Sequence, residues 1–148
     1  MHPDWLSNAY LVADEEGGTA VYVDSGAPIG PLREAVFTGD TLFKDSVGGG
    51  SFEQVRRSVM DVLLALPHEL RVLPGHTDET TLGREWEENP FVRVWRGAQP
   101  EGTEPCRVGG EEATLVVWSP DYDGAGKAWV RFKDGRDAIV GGSRVERG

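Results

Sequence analysis

Two short motifs at the ends of predicted strands constrain this chain more than any other feature. A strand-like run at residues 34–37 leads into Thr-Gly-Asp, which ends at Asp40, and a second run at 71–73 leads into Pro-Gly-His, which ends at His76. Glycine lets the backbone turn sharply, so the following side chain can point across the sheet edge. Loops at strand ends commonly carry function on a rigid scaffold. The motifs therefore predict a carboxylate and an imidazole at the ends of two strands.

The pair Asp40 and His76 predicts a metal site, because zinc, manganese and iron accept carboxylate and imidazole ligands. We assign no catalytic side chain. Taken alone, a Gly-Asp pair is usually a turn, and a Pro-Gly-His segment is usually structural. The chain has two other histidines, His2 near the N-terminus and His68 after a proline. We expect His2 to lie in a mobile terminus and His68 to be solvated at a helix end, so neither is assigned as a ligand.

The strand and helix signals before residue 95 predict a mixed α/β (α+β) domain. Residues 9–14 and 19–26 have strand character and are joined by Glu-Glu-Gly-Gly, which is typical of a β-hairpin. A strand at residues 34–40 precedes a helix, and a strand at 71–73 follows it. A short helix is predicted from Thr80 to Glu88, where Asn-Pro stops it.

The central helix has the clearest periodicity in the chain. Ser51 and Gln54 match a capping box at its start, and Pro67 ends it. Apolar residues then recur at helical spacing and predict one buried face. That face consists of Phe52, Val55, Val59, Val62, Leu63 and Leu66.

The composition changes beyond residue 95. Residues 96–105 are rich in Gly, Pro and Glu and predict a linker, whereas residues 106–148 contain β-rich runs separated by turns. Within the latter, Asp134-Gly135 predicts a two-residue hairpin loop. We therefore predict one domain at residues 1–95 and a small β domain at 106–148, either a β-meander or an SH3-like barrel.

Other side chains of the C-terminal part have simpler predicted roles. We expect most of its aromatic residues to form the core, with one or two exposed as a recognition surface in the alternative interpretation. These residues are Trp118, Tyr122, Trp129 and Phe132. Asp121-x-Asp123-Gly124 resembles the start of a calcium loop but lacks the later ligands, so it predicts a turn.

Charge and cysteine content exclude several classes of function. The formal net charge is −10, and the first 105 residues hold eight basic and eighteen acidic side chains. Such a surface repels phosphate backbones, so we expect no nucleic-acid partner. The absence of a long apolar run or signal pattern predicts no membrane span and a cytoplasmic location. Cys106 is the single cysteine and is expected to be a small hydrophobic residue.

Four segments resemble successive blocks of the metallo-β-lactamase-fold hydrolases, in particular the glyoxalase II-like branch (hydroxyacylglutathione hydrolases) and the neighbouring persulfide dioxygenases. The segments are NAYLVAD, AVYVDSGAP, AVFTGDTLFKDSVGG and LLALPHELRVLPGHTDETTLGREWEENPF. The resemblance covers nearly all of residues 7–92 and implies a partial metallo-β-lactamase-like sheet with flanking helices. It also implies that Asp40 bridges two metal ions, that His76 binds one of them, and that Asp24 supports the site.

The chain departs from this family where the family carries its His-x-His-x-Asp-His loop and a further ligand histidine. Residues 27–38 occupy that place and contain no histidine. Catalytic zinc normally has three protein ligands and an open position for water. With two ligands, we expect low metal occupancy and no intact two-metal catalysis.

The resemblance implies a metal-dependent hydrolase that acts on thioester bonds, with zinc, iron or manganese as the metal and a small acyl thioester as substrate. We expect impaired activity because most ligands are missing. Glyoxalase II enzymes usually end in helices that hold glutathione, whereas this chain ends in β structure, so another acyl substrate fits equally well. One alternative is a non-catalytic association module that forms homo-oligomers through exposed sheet surface. Another is an iron protein similar to the persulfide dioxygenases.

Overall fold

A computed structural model describes residues 35–148 in full and the backbone of two earlier strands, β1 (Ala9–Ala13) and β2 (Ala20–Asp24). These strands pair antiparallel, with Ala9 opposite Asp24. The pairing confirms the predicted hairpin. Its Glu-Glu-Gly-Gly connection, His2 and residues 25–34 lie outside the described residues.

The first sheet contains the two strands that carry the predicted motifs. β3 (Ala35–Gly39) and β6 (Arg71–Pro74) run parallel, with Val36 opposite Val72 and Gly39 opposite Pro74. Between them in sequence lies a small hairpin of β4 (Leu42–Phe43) and β5 (Ser46–Val47). The two-residue β7 (Thr80–Thr81) pairs antiparallel with β6, so β6 is the central strand. Because β3 and β6 are parallel, their C-terminal ends lie at the same edge of the sheet.

The helix between β3 and β6 changes its winding partway along. It begins as α1 (Phe52–Arg57), continues as a π-helical turn (Ser58–Val62) and ends as a 3₁₀ turn (Leu63–Ala65). A π-turn contains an extra residue, which rotates the face that follows it. Leu64 is therefore buried, whereas Val62 is 58% exposed. The predicted buried face is correct up to Val59, at the start of the π-turn, and again at Leu63.

The predicted capping box at the start of α1 is wrong. Ser51 is the N-cap residue, but its hydroxyl caps no backbone N–H of the helix. It donates instead to the Glu53 carboxylate, at 3.1 Å. The Ser51 hydroxyl therefore bonds to the neighbouring carboxylate and does not cap the helix as the sequence motif predicts.

Two short helices, α2 (Leu82–Glu88) and α3 (Pro90–Trp95), follow the first sheet. Thr81 caps α2 by accepting a hydrogen bond from the Arg84 N–H. The predicted helix from residue 80 thus begins two residues later, because Thr80 and Thr81 pair with β6. Asn89 ends α2 as predicted, and its side-chain oxygen accepts from the Phe91 N–H at the start of α3. Among the described helices, none combines the length and apolar character required to cross a bilayer.

The C-terminal part forms one five-stranded antiparallel sheet. Its strands are β8 (Glu104–Val108), β9 (Glu111–Ser119), β10 (Lys127–Phe132), β11 (Asp137–Gly141) and β12 (Val145–Arg147). Their order in the sheet is β11-β10-β9-β8-β12. The meander β8–β11 is followed by a 3₁₀ turn (Gly142–Arg144), after which β12 returns to pair with β8. Within residues 104–148, all of them described, β11 and β12 are both edges, so the sheet is open.

The loop between β10 and β11 is one residue longer than predicted. Phe132 N–H donates to the Arg136 carbonyl, and Gly135 N–H donates to the Phe132 carbonyl. Three residues therefore turn the chain, and Gly135 has a φ of 87°. This is a type I turn completed by a left-handed glycine, the usual three-residue hairpin loop.

The core joins the C-terminal sheet to the preceding part of the chain. Trp129 and Ile139 are buried in the same apolar cluster as Leu42, Val72 and Phe91. β8 begins at Glu104, inside the predicted linker. The division at residues 95 and 106 remains a prediction, although the shared cluster requires the two parts to pack together. A second cluster on the C-terminal sheet contains Cys106, where burial raises the thiol pKa.

A fully buried carboxylate ties the β4–β5 turn to β7 and the two short helices. Glu85 has no exposed surface. Its Oε1 accepts from the Thr80 hydroxyl at 2.7 Å and from Arg84 Nη1 at 2.8 Å. Its Oε2 accepts from the Asp45 N–H and from Asn89 Nδ2, each at 2.9 Å. All four hydrogen bonds form at once, so they compensate for the cost of removing the carboxylate from water.

The partners of Glu85 extend this network. Asn89 Nδ2 also donates to the Ser46 carbonyl at 3.1 Å. The Arg84 guanidinium lies 2.8 Å from Asp45 and 2.9 Å from Glu88. Burial alone would lower the pKa of Arg84, but its hydrogen bonds to Asp45 and Glu85 outweigh that effect and raise it.

We expect Glu85→Gln to lower the free energy of unfolding by about 3 kcal/mol, because an amide leaves buried donors unpaired and Arg84 without its buried counter-charge. Glu87, on the same helix, is 65% exposed and pairs with Arg96. Glu87→Gln is the matched control and should change stability by less than about 0.5 kcal/mol. Denaturant unfolding of both variants measures the difference. Equal losses would contradict the role assigned to Glu85.

Candidate metal centre

The two predicted ligands lie together at the edge where β3 and β6 end. Asp40 directly follows β3, and His76 lies two residues beyond β6. His76 Nε2 is 3.5 Å from Asp40 Oδ1. The parallel pairing of the two strands explains this proximity, since it brings both strand ends to one edge of the sheet.

The backbone at this edge is held in conformations that favour glycine. Gly39 has a φ of 48°, and its carbonyl accepts a hydrogen bond from the Gly75 N–H at 2.9 Å. A Cβ at position 75 would lie 3.1 Å from Asp40 Oδ1. Gly75 therefore gives the Asp40 carboxylate the space to face His76.

The residue after His76 is strained. Thr77 has a φ of 73°, in the left-handed region that β-branched residues rarely adopt. Such conformations cost free energy and persist only where the surrounding structure imposes them. The loop that carries the imidazole is thus set by its neighbours and not by its own backbone preference.

A second close approach fixes the backbone of Asp40. Gly48, just after β5, donates its N–H to the Thr41 carbonyl at 3.1 Å. A Cβ on Gly48 would lie only 1.6 Å from the Asp40 carbonyl oxygen. The β4–β5 hairpin can therefore fold back on Asp40 only with glycine at position 48.

Both candidate ligands are open to solvent. The side chain of His76 is 47% exposed and that of Asp40 is 75% exposed. Water therefore hydrates both groups, and a bound ion would also remain accessible to water and to small molecules.

Aromatic rings cover one face of the imidazole. Tyr122 stacks on His76 with ring centroids 4.3 Å apart and an interplanar angle of 19°. Phe43 lies 6.2 Å from the His76 ring and 5.9 Å from that of Tyr122. Tyr122 is 56% exposed. It lies in the loop between β9 and β10 of the C-terminal sheet, so its contact with His76 was not predictable from the linear spacing of the motifs.

The other C-terminal aromatic residues divide between the two predicted roles. Trp129 is buried in the core and Phe132 is partly buried, as expected of most of them. Trp118 is 43% exposed, and together with Tyr122 it fits the alternative of an exposed aromatic surface. The Asp121–Gly124 segment is a turn, as predicted, closed by a hydrogen bond from the Gly124 N–H to the Asp121 carbonyl.

The geometry of the pair fits two of the four positions around a zinc ion. Bonds of about 2.0–2.2 Å at a tetrahedral angle place two donor atoms roughly 3.4 Å apart. The observed 3.5 Å between Nε2 and Oδ1 matches that spacing. Within residues 35–148 no third His, Cys, Asp or Glu joins them. His68 instead packs against Trp86 in a tilted arrangement, with ring centroids 5.4 Å apart and an interplanar angle of 43°.

The chain is similar in sequence to proteins described as metallo-hydrolases. It is 30% identical over 95 residues to a probable metallo-hydrolase of Bacillus subtilis, covering 61% of this chain and 42% of that protein. It is 34% identical over 65 residues to a hydroxyacylglutathione hydrolase of Haemophilus influenzae, covering 40% and 31%. An uncharacterized protein of Mycobacterium tuberculosis is 46% identical over 65 residues, covering 40% and 29%. The chain thus spans less than half the length of these relatives.

No family model matches the chain. Among solved structures, the B3 metallo-β-lactamase BLEG-1 aligns with a TM-score of 0.42 and 25% identity, covering 62% of this chain and 47% of that one. The partial sequence matches show a distant similarity to proteins described as metallo-hydrolases, in agreement with the motifs.

We expect Gly48→Ala to destabilise the fold by about 3 kcal/mol, because a methyl group cannot fit against the Asp40 carbonyl. Gly49 has no atom within 4 Å of a Cβ built on it. Gly49→Ala is therefore the matched control and should change stability by less than about 0.5 kcal/mol. Thermal and denaturant unfolding measure both. A neutral Gly48→Ala variant would show that the hairpin does not fold tightly against Asp40.

Proposed function

We propose that this chain is a shortened, metal-dependent hydrolase of the metallo-β-lactamase superfamily that acts on thioesters with impaired efficiency. The observation that carries the proposal is the 3.5 Å approach of His76 Nε2 to Asp40 Oδ1 at the ends of β3 and β6. The strand-end motifs indicate these two residues, and their geometry fits adjacent positions around one ion.

Asp40 Oδ1 and His76 Nε2 would hold the metal, with zinc as the first choice and iron or manganese as alternatives. A zinc ion bound there supplies a Lewis acid and lowers the pKa of its water. The chain's own contribution is positional. Gly75 leaves room for the Asp40 carboxylate, and Tyr122 and Phe43 pack around the imidazole.

The thioester assignment rests on two supports. The motifs resemble those of the glyoxalase II-like branch, and one relative is described as a hydroxyacylglutathione hydrolase. The open position of both side chains leaves room for a substrate carbonyl beside them. The C-terminal sheet differs from the helical end of glyoxalase II enzymes, so the substrate class is the acyl thioester and not glutathione in particular.

We expect wild-type protein to bind Zn²⁺ weakly, with one ion per chain in calorimetric titration. Asp40→Asn and His76→Gln each remove one of two ligands and should weaken that binding at least about 10-fold. Asp78→Asn and His68→Gln are matched controls, since Asp78 pairs with Lys44 and His68 packs against Trp86. Both controls should bind as the wild type does. Loss of binding in the controls, or its retention in both ligand variants, would overturn this assignment.

We expect Zn²⁺-loaded protein to hydrolyse simple acyl thioesters slowly, measured by release of the free thiol. Because the proposal places the metal at the reacting carbonyl, excess chelator should return the rate to the protein-free background. Asp40→Asn should have the same effect, whereas Asp78→Asn should leave the rate unchanged. Metal-loaded protein that shows no turnover across a panel of short- and long-chain thioesters would remove the enzymatic claim.

Three sequence interpretations remain predictions beside this proposal: a non-catalytic association module, a homo-oligomer formed through exposed sheet surface, and an iron protein similar to the persulfide dioxygenases. The exposed Val62 and Leu66 show that some apolar surface of the first part faces solvent. The approach of His76 to Asp40 supports hydrolysis in preference to these alternatives.

A further inference from the structure

We propose that Tyr122 is a positioning residue for His76, so that the C-terminal sheet forms part of the candidate metal centre. In this role Tyr122 holds the imidazole plane in the orientation that directs Nε2 toward Asp40. The inference rests on the proposed function, because it concerns how a proposed metal ligand is oriented. Neither the motifs nor the similar proteins assign a role to Tyr122.

The contact itself has the geometry of a stack. The rings of Tyr122 and His76 lie 4.3 Å apart at 19°, close to parallel, and Phe43 packs near both. The lone pair of an imidazole nitrogen lies in the ring plane, so the orientation of that plane decides where Nε2 points. A stacked neighbour hinders rotation of the ring out of that plane. The stacking contact therefore restrains the direction of Nε2, on which metal binding by His76 depends.

The loop that carries Tyr122 is anchored independently of His76. Asp121 is 1% exposed and forms an ion pair with Lys127 at 3.0 Å. Its Oδ1 also accepts from the Tyr122 N–H at 2.9 Å. At the far end of the loop, the Trp118 indole covers Gly126, where a Cβ would lie 2.5 Å from the ring. Tyr122 is thus presented by a fixed loop and does not depend on His76 for its position.

The exposure of Tyr122 separates this role from a purely structural one. At 56% exposed, its side chain contributes little buried area to the fold. Its ring contacts are with Phe43 and His76. Removal of the ring should therefore affect the orientation of His76 more than the stability of the protein.

The experiment compares Zn²⁺ affinity in wild type, Tyr122→Leu and Tyr122→Phe by calorimetric titration of the full chain. We expect Tyr122→Leu to weaken binding about 10-fold, the size of effect typical of residues that orient metal ligands. Tyr122→Phe keeps the stacked ring and should bind as the wild type does. Val62→Ala is the control for loss of an exposed apolar side chain elsewhere, and we expect it to bind as the wild type does.

NMR of the metal-free protein supplies the second measurement. A proton over the face of an aromatic ring is shielded, so the His76 ring protons should move downfield in Tyr122→Leu and stay in place in Tyr122→Phe. Lys127→Met, which removes the anchor of the loop, should shift them in the same direction as Tyr122→Leu.

The outcomes distinguish the two proposals. If wild type and Tyr122→Leu bind Zn²⁺ equally, the positioning role is overturned and the proposed function stands. Unchanged His76 ring-proton shifts in Tyr122→Leu overturn the stack and the role together. If the wild type binds no Zn²⁺, the proposed function fails, and the positioning role fails with it.

Discussion

The buried Glu85 carboxylate is the interaction on which the arrangement of this part of the chain depends. It accepts hydrogen bonds from the β4–β5 turn at Asp45, from β7 at Thr80, and from Arg84 and Asn89 on α2 and at its end. Asp40 lies just before β4, and His76 lies between β6 and β7. The network therefore fixes the chain at Asp45, five residues after Asp40, and at Thr80, four residues after His76. A buried charge with several donors resists rearrangement, since loss of any partner leaves it undercompensated.

The C-terminal sheet shares both the core and the candidate centre with the preceding part. Trp129 and Ile139 pack in the cluster that includes Val72 of β6. On the surface, Tyr122 reaches His76 from the loop between β9 and β10. The sheet thus meets the preceding part of the chain both in the buried core and at the site. The position of the imidazole consequently depends on residues more than forty positions away in sequence.

The sequence predicted those features that depend on local pattern. Strand-end glycines located Asp40 and His76, and their proximity follows from two parallel strands ending at one edge. The π-turn that buries Leu64 was not predictable. The cost of its π-helical geometry is offset by tertiary packing, which the spacing of apolar residues in the sequence does not reveal. Glu85 lies within the last of the four segments that carry the family resemblance, but its burial depends partly on a donor distant in sequence, the Asp45 N–H. Tyr122 was predicted only as one of several aromatic residues, since its contact with His76 is made across the tertiary structure.

The left-handed backbone at Thr77 has a consequence for the dynamics of the site. Relaxation of the Thr77 backbone would release its strain, so the segment between β6 and β7 stores strain in the folded state. Local opening should therefore start there before it reaches the strands on either side. The rates of ligand binding and release would then depend on how often this short loop opens, while the rest of the molecule stays folded.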